Sequence, residues 1–376
     1  MIYLDYQATT PLAPEVREAM LPWLGGPGER GFGNPHSPHR PGREAKAAVE
    51  LARDQVGAPF AGKAGRLLFT AGATEAANLA IQGLLAAGRL DGKRVVTLAT
   101  EHSCVLDTVR SLAVRGVEVV ILPVQASGLV DLDQARSAIN PDTALVCAML
   151  VNNEIGVRQP LAELAAMARA VGAFFFCDAV QGYGRVPLPV AACDLVALSA
   201  HKLHGPKGVG ALWVRDGVPL APVLHGGGQE AGLRPGTLSP LLCVGFGAAA
   251  RLMIERAAVD HDHVGRLWST ALEAFGPAWT LNGDGERRYH GNLNLRRDGV
   301  DAARLIAEVR GVAFSAGSAC ASGSGRPSHV LRATGLDDRQ ARGSIRLGFG
   351  RYTTAAELRE AGGLLNAAAE AQAAWA

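Results

Sequence analysis

Between Leu67 and Val214, short apolar runs alternate with segments whose apolar residues recur every three to four positions. This alternation predicts strands joined by helical crossovers, as in a mostly parallel sheet with helices on both faces. Seven strands are expected: Leu67 to Thr70, Val95 to Leu98, Val117 to Leu122, Ala144 to Leu150, Phe174 to Cys177, Leu195 to Ser199 and Ala211 to Val214. One connecting helix is well punctuated and should run from Leu161 to Val171. Pro160 stands where a first-turn proline is welcome, Leu161, Leu164, Met167 and Ala168 make one apolar face, and Gly172 suits a left-handed cap. Beyond Gly247 the pattern changes to a charged helical segment, Arg251 to Leu272, then to a mixed region with strands at Asn292 to Leu295 and Ile345 to Phe349. An alanine-rich helix follows from about Ala355. A chain of 376 residues exceeds one ordinary core. The expected division is a large domain, 15–250, and a smaller α+β domain formed by 1–14 and 251–376, with the boundary near Arg251.

Composition narrows the class. Apolar residues make up 48%, and 37 basic against 35 acidic residues are spread without a basic block, which argues against nucleic acid or an anionic membrane as partner. The six cysteines (Cys104, Cys147, Cys177, Cys193, Cys243, Cys320) contain no C-x-x-C pair, so neither a zinc knuckle nor a disulfide framework is expected, and no metal site is assigned. No apolar run approaches a membrane span and the N-terminus lacks a leader pattern. A cytoplasmic protein is expected.

Ligands of open parallel sheets gather at the carboxyl ends of the strands. There the chain reads Ala71-Gly72-Ala73-Thr74-Glu75, Thr100-Glu101-His102, Asn152-Asn153-Glu154, Asp178-Ala179-Val180-Gln181 and Ala200-His201-Lys202-Leu203-His204-Gly205-Pro206-Lys207-Gly208. Singly, each has an ordinary explanation: a helix cap, a turn, a solvated lysine. Together they meet the needs of a phosphorylated pyridine aldehyde. These are an amine for a Schiff base, a carboxylate for the ring nitrogen, phosphate donors at a helix start and a flat side chain to stack on the ring. A second feature stands apart. Residues 315–325 hold Cys320 among three glycines and four serines, a composition with little to anchor it in a core, which suits a thiol on a movable arm.

With these residues in view, the chain resembles the cysteine desulfurases of the nitrogen-fixation and iron–sulfur-cluster kind, class V members of the fold-type I pyridoxal-phosphate enzymes. The most specific pieces are Ser199-Ala200-His201-Lys202 and Gly317-Ser318-Ala319-Cys320. Leu4 to Pro11, Gly33 to Ser37, Val151 to Gly156 and Ser344 to Leu347 extend the likeness along nearly the whole chain. The resemblance implies the fold-type I architecture, with pyridoxal 5′-phosphate as cofactor. By matching motifs, Lys202 is the Schiff-base lysine, His102 stacks on the ring, Asp178 pairs with the ring nitrogen and Gln181 bonds the ring hydroxyl. Thr74, Ser199, His201 and the amide of Ala73 hold the phosphate, joined by Thr237 from a partner subunit, so a homodimer is implied. Asn153 assists near the ring, and Arg346 is the candidate for the substrate carboxylate.

The implied reaction takes sulfur from L-cysteine onto Cys320 as a persulfide, releases L-alanine and passes the sulfur to an iron–sulfur scaffold or other acceptor protein. The segment between Cys320 and Pro327 is long, as in relatives that deliver sulfur directly. Arg326 departs from the acidic residue usual there, Ala71, Ala200, Ala316 and Ala321 replace other small residues, and the longer C-terminal tail of some relatives is absent. A selenocysteine lyase, a class V aminotransferase and a non-enzymatic sulfur carrier are the alternative readings.

Overall fold

Phe174–Asp178 shows why the strands read as unbroken apolar runs: Phe175 and Cys177 enter one core while Phe176 enters the other. A strand covered on both faces has no solvent side, so the alternation of burial vanishes from its sequence. In the structure, a computed structural model that describes residues 1–316 and 327–373, seven strands form the large sheet. Edge to edge they are Gly65–Thr70, Gly210–Arg215, Leu195–Ser199, Phe174–Asp178, Thr143–Met149, Arg94–Leu98 and Glu118–Leu122. All neighbours are parallel except Gly210–Arg215, which is antiparallel to both of its partners. Each expected strand is present with its ends within two residues of the expectation.

Helices Arg40–Gly57, Leu161–Ala170 and the first part of Pro240–Phe275 cover one face of the sheet, and Ala73–Ala86 and Ser103–Ser111 cover the other. In the helix expected to begin near Pro160, that proline occupies the capping position rather than the first turn. The helix ends at Ala170, and Gly172 takes a left-handed φ of 75° just beyond.

The segment expected over 251–272 belongs to one helix of 36 residues, Pro240–Phe275. Ser239 caps it and Pro240 opens it, so the helix starts well before Arg251 and runs through the expected boundary. Phe246, Ala249 and Met253 pack into the large core, whereas Leu267, Trp268 and Phe275 pack into a second one. The division into 15–250 and the remainder therefore stays a proposal, with the crossing point inside a continuous helix. The second core lies under the antiparallel strands Ser344–Gly348, Asn292–Arg296 and Thr280–Leu281 and is covered by Ala355–Ala373. Ile2 and Leu4 join it, with Ile2–Tyr3 pairing in parallel with Val312–Ala313, a short pairing too brief to leave a pattern in the sequence.

Candidate active site

A cavity of about 420 Å³ opens at the carboxyl ends of the central strands. It collects Ala73, Thr74, His102, Asn153, Asp178, Gln181, Ser199, His201, Lys202 and Arg346, all of them expected site residues. Two expected residues are not among them. Thr237 is exposed on a loop and does not line this chain's cavity. Cys320 lies outside the described residues.

The phosphate end is built by the helix Ala73–Ala86. Gly72 precedes it with extended backbone and no side chain caps the helix, so Thr74 is not the cap that a threonine at a helix start usually is. Its first helical bond runs from Ala76 to the Gly72 carbonyl at 3.1 Å, leaving the amides of Ala73 and Thr74 ahead of the ladder. Glu75, which would repel an anion, is turned aside: its carboxylate accepts from the Ala71 amide and pairs with Arg234 at 2.8 Å. Across the turn, Gly210 allows the strand to approach closely, because a Cβ there would come within 2.7 Å of Gly72.

Asp178 ends its strand buried, with Oδ1 accepting from the Val180 amide at 2.9 Å. Burial raises its pKa above the ordinary carboxylate range, against that hydrogen bond and the fields of His102 and Lys202. A cation beside a buried carboxyl stabilises its charged form. His102 caps Ser103–Ser111 by accepting from the Cys104 amide through Nδ1 at 3.2 Å, which places the proton of the neutral ring on Nε2. Burial lowers its pKa, so the neutral ring is favoured. Glu101, beside it, is pushed up to about 8, first by burial and then by Asp178.

Lys202 follows Leu195–Ser199 in a short 3-10 turn, and its Nζ donates to the carbonyls of Gln7 and Ala8, the latter at 2.9 Å. Burial pulls its pKa down to about 7, aided by Arg346 and Arg185. The turn beyond it is pinned by His204, a non-glycine residue at φ 66° whose amide donates to Thr10 Oγ1 at 2.7 Å. Gln181 donates from Nε2 to the Gln7 carbonyl at 2.9 Å. Arg346, 1% exposed, donates to Asp5 Oδ1 at 2.8 Å, to Ser315 Oγ at 3.2 Å and to the Asn153 carbonyl at 3.1 Å. Arg346, the candidate for the substrate carboxylate, is held here in an ion pair with Asp5 while lining the cavity.

The segment that carries Cys320 is tied down on both sides of the undescribed stretch. Ser315 and Arg346 exchange backbone hydrogen bonds at 2.7 and 3.2 Å. Beyond the stretch, Ser328 donates to the buried Glu154 carboxylate and the His329 ring lies 3.0 Å from the Glu101 carbonyl.

Sequence reasoning passed over Asp5, Gln7, Ala8, Glu101 and Lys207 as contributors. The first three sit in the N-terminal segment already noted for its resemblance, but nothing local announces that their backbone meets Lys202.

Pyridoxal phosphate fits these residues. Gln7 Oε1, Asn153 Oδ1 and Arg346 Nε are buried on residues of the wall without partners in the protein, and the buried Asp178 carboxyl lines the same cavity. A cup of this kind at the end of such a sheet defines a fold-type I pyridoxal-phosphate enzyme. The class-V aminotransferase family model matches residues 2–360. "Cysteine desulfurase IscS" of Rickettsia bellii is 46% identical over 365 residues, covering 95% of this chain and 88% of that protein. Among solved structures, a "NifS-like protein" superposes with a TM-score of 0.88 at 30% identity, covering 98% of each chain. A structure titled "SspA in complex with cysteine" does so at 0.81 and 34%, covering 94% of this chain and all of that one. The chain belongs to the class-V aminotransferase family, on its cysteine desulfurase branch.

Proposed function

We propose that this protein is a pyridoxal-phosphate-dependent cysteine desulfurase that takes sulfur from L-cysteine onto Cys320, releases L-alanine and hands the persulfide to an acceptor protein. The observation that carries the reading is the convergence of Lys202, Asp178, His102 and the helix start at Ala73 on one cavity, with Arg346 at its rim. When bound, the cofactor supplies an aldehyde that condenses with amines and an electron-poor ring that withdraws density from the substrate's Cα.

The chain's own groups do the rest. Asp178 would hold the proton at the ring nitrogen, Gln181 would donate to the ring hydroxyl and His102 would flank the ring. The amides of Ala73 and Thr74, with Thr74, Ser199 and His201, bind the phosphate. Lys202, an amine whose pKa of about 7 leaves much of it unprotonated at neutral pH, would hold the cofactor through its Nζ and would take the proton from the substrate's Cα. Arg346 receives the substrate carboxylate in place of Asp5, which orients the side-chain sulfur. The Cys320 thiolate then attacks that sulfur: the S–S bond forms, the Cβ–S bond breaks, and the carbon keeps the electron pair and is protonated to alanine. Sulfur is oxidised and carbon reduced by the same two electrons, so no external oxidant enters. A cysteine complex of a relative supports the substrate class.

Thr237, exposed and outside its own chain's cavity, fits a role in the cup of a second copy, so we place the protein as a homodimer. An iron–sulfur scaffold or another thio-cofactor pathway protein is the proposed acceptor, and the cytoplasm the proposed compartment. Among the described residues no helix is long and apolar enough to cross a membrane. The test is mass analysis after exposure to cysteine. One added sulfur on Cys320 with stoichiometric alanine is expected. A Cys320→Ala variant that keeps its visible cofactor band yet still releases alanine at the wild-type rate would refute the assignment.

A further inference from the structure

Behind the cofactor cavity lies a second one of about 250 Å³ with Lys202 as shared wall, and Arg185 lines it. Arg185 is a cation with no carboxylate partner among the described residues. Its Nη1 donates to Gln181 Oε1 at 2.7 Å, its Nη2 donates to the Lys202 carbonyl, and its guanidinium lies 5.2 Å from the Tyr289 ring centre. Desolvating an arginine without a counter-ion is unfavourable. The two groups it hydrogen-bonds therefore indicate its use, and both belong to the cofactor site.

We propose that Arg185 is a positioning residue that reaches the active site from behind, fixing the Gln181 amide in one orientation and bracing the backbone of Lys202. The chemistry of the three partners leaves a single arrangement. A guanidinium only donates, so the atom of Gln181 facing Arg185 is its oxygen. The Gln7 carbonyl only accepts, so the atom facing Gln7 is the nitrogen. The amide cannot flip without opposing two donors at one end and two acceptors at the other. Its nitrogen is thereby kept on the side of the cofactor cavity, with one hydrogen on Gln7 and the second free for an oxygen of the occupant. A lysine at 185 would keep the charge but not the fork that spans Gln181 and Lys202 together. The same cation adds to the field that holds Lys202 toward its neutral form, alongside Arg346 and against Asp5 and Asp178.

This inference rests on the reading that the cavity holds pyridoxal phosphate with Gln181 at the ring hydroxyl, and the experiment separates the two. Wild type, Arg185→Met and Arg185→Lys are prepared as holoenzymes. For each, the visible cofactor band is titrated with pH in the absence of cysteine, the cofactor dissociation constant is measured and the thermal midpoint is recorded. Loss of a cation and of a fixed donor both favour the protonated form of the chromophore. Arg185→Met should therefore raise its apparent pKa by about one unit and weaken cofactor binding about tenfold. Arg185→Lys should shift the same way by less, at an unchanged thermal midpoint. If Arg185→Met does not fold, the lysine variant decides. Variants that bind cofactor and titrate as wild type overturn the positioning role alone. A wild-type protein without a cofactor band, or whose cofactor borohydride does not fix to residue 202, overturns the underlying reading and the inference with it.

Discussion

Arg346, which lines the cavity, is joined at 2.8 Å to Asp5, although 341 positions separate them in the chain. The arginine side chain is 2% exposed and the aspartate 17%, so this is a shielded pair rather than a surface one. On the proposed role of Arg346 as receptor of the substrate carboxylate, Asp5 is a built-in competitor for the same guanidinium.

Asp5→Asn should accordingly lower KM for cysteine several-fold with a smaller change in kcat, because the amide keeps a hydrogen bond to Arg346 but not the charge. The same variant should lose about 3 kcal/mol of stability, the order expected when one partner of a shielded pair is removed. Steady-state kinetics and urea unfolding check the two halves, and an unchanged or raised KM refutes the competitor role.

Lys202 ties stability to pH in the cofactor-free protein. Its folded pKa, about 7, lies below the ordinary value of 10.5, so between these values the unfolded chain binds more protons than the folded one. Stability should therefore rise with pH through this window, by up to about 1.4 kcal/mol per pH unit, and the contribution should be lost as pH falls through about 7. Lys202→Met should flatten the slope. Parallel pH–stability curves for the two proteins would contradict it.

Asp178→Asn keeps the shape of the strand end and its bond to Val180 but removes the charge that favours a protonated ring. We expect kcat to fall by at least about a hundredfold, the usual worth of a proton held in place, with the cofactor still bound. Absorbance and alanine release measured on one sample distinguish this from simple cofactor loss.

Gly210→Ala should act on the phosphate turn. The added Cβ would lie 2.6 Å from the Leu198 carbonyl oxygen and 2.7 Å from Gly72, both backbone, so the turn ahead of Ala73 must shift. Cofactor affinity should weaken by about tenfold or more. A dissociation constant equal to that of wild type would show that the turn tolerates the methyl group.

Much of the site was legible because its residues follow strands whose apolar runs are self-announcing. Asp178 and Lys202 each lie within a few residues of such a run, and a sheet with covered faces delivers their side chains to the same edge. The helix at Pro240–Phe275 was only partly legible. Its early turns, apolar and glycine-containing, lack the charged periodic face that marked 251–272, and only packing against the large core explains them.

By itself the chain's sequence determined the strand and helix pattern, the sheet edge that carries chemistry and the identity of Lys202, Asp178 and Cys320 as reactive candidates, because periodicity and turn chemistry are local properties. Only the tertiary structure decided that Asp5 occupies Arg346, that the carbonyls of Gln7 and Ala8 receive the Lys202 amine and that Arg185 holds Gln181 from behind. Apart from the last, these contacts join segments nearly two hundred or more residues apart. All depend on the register in which finished elements pack, a quantity that no run of neighbouring residues records.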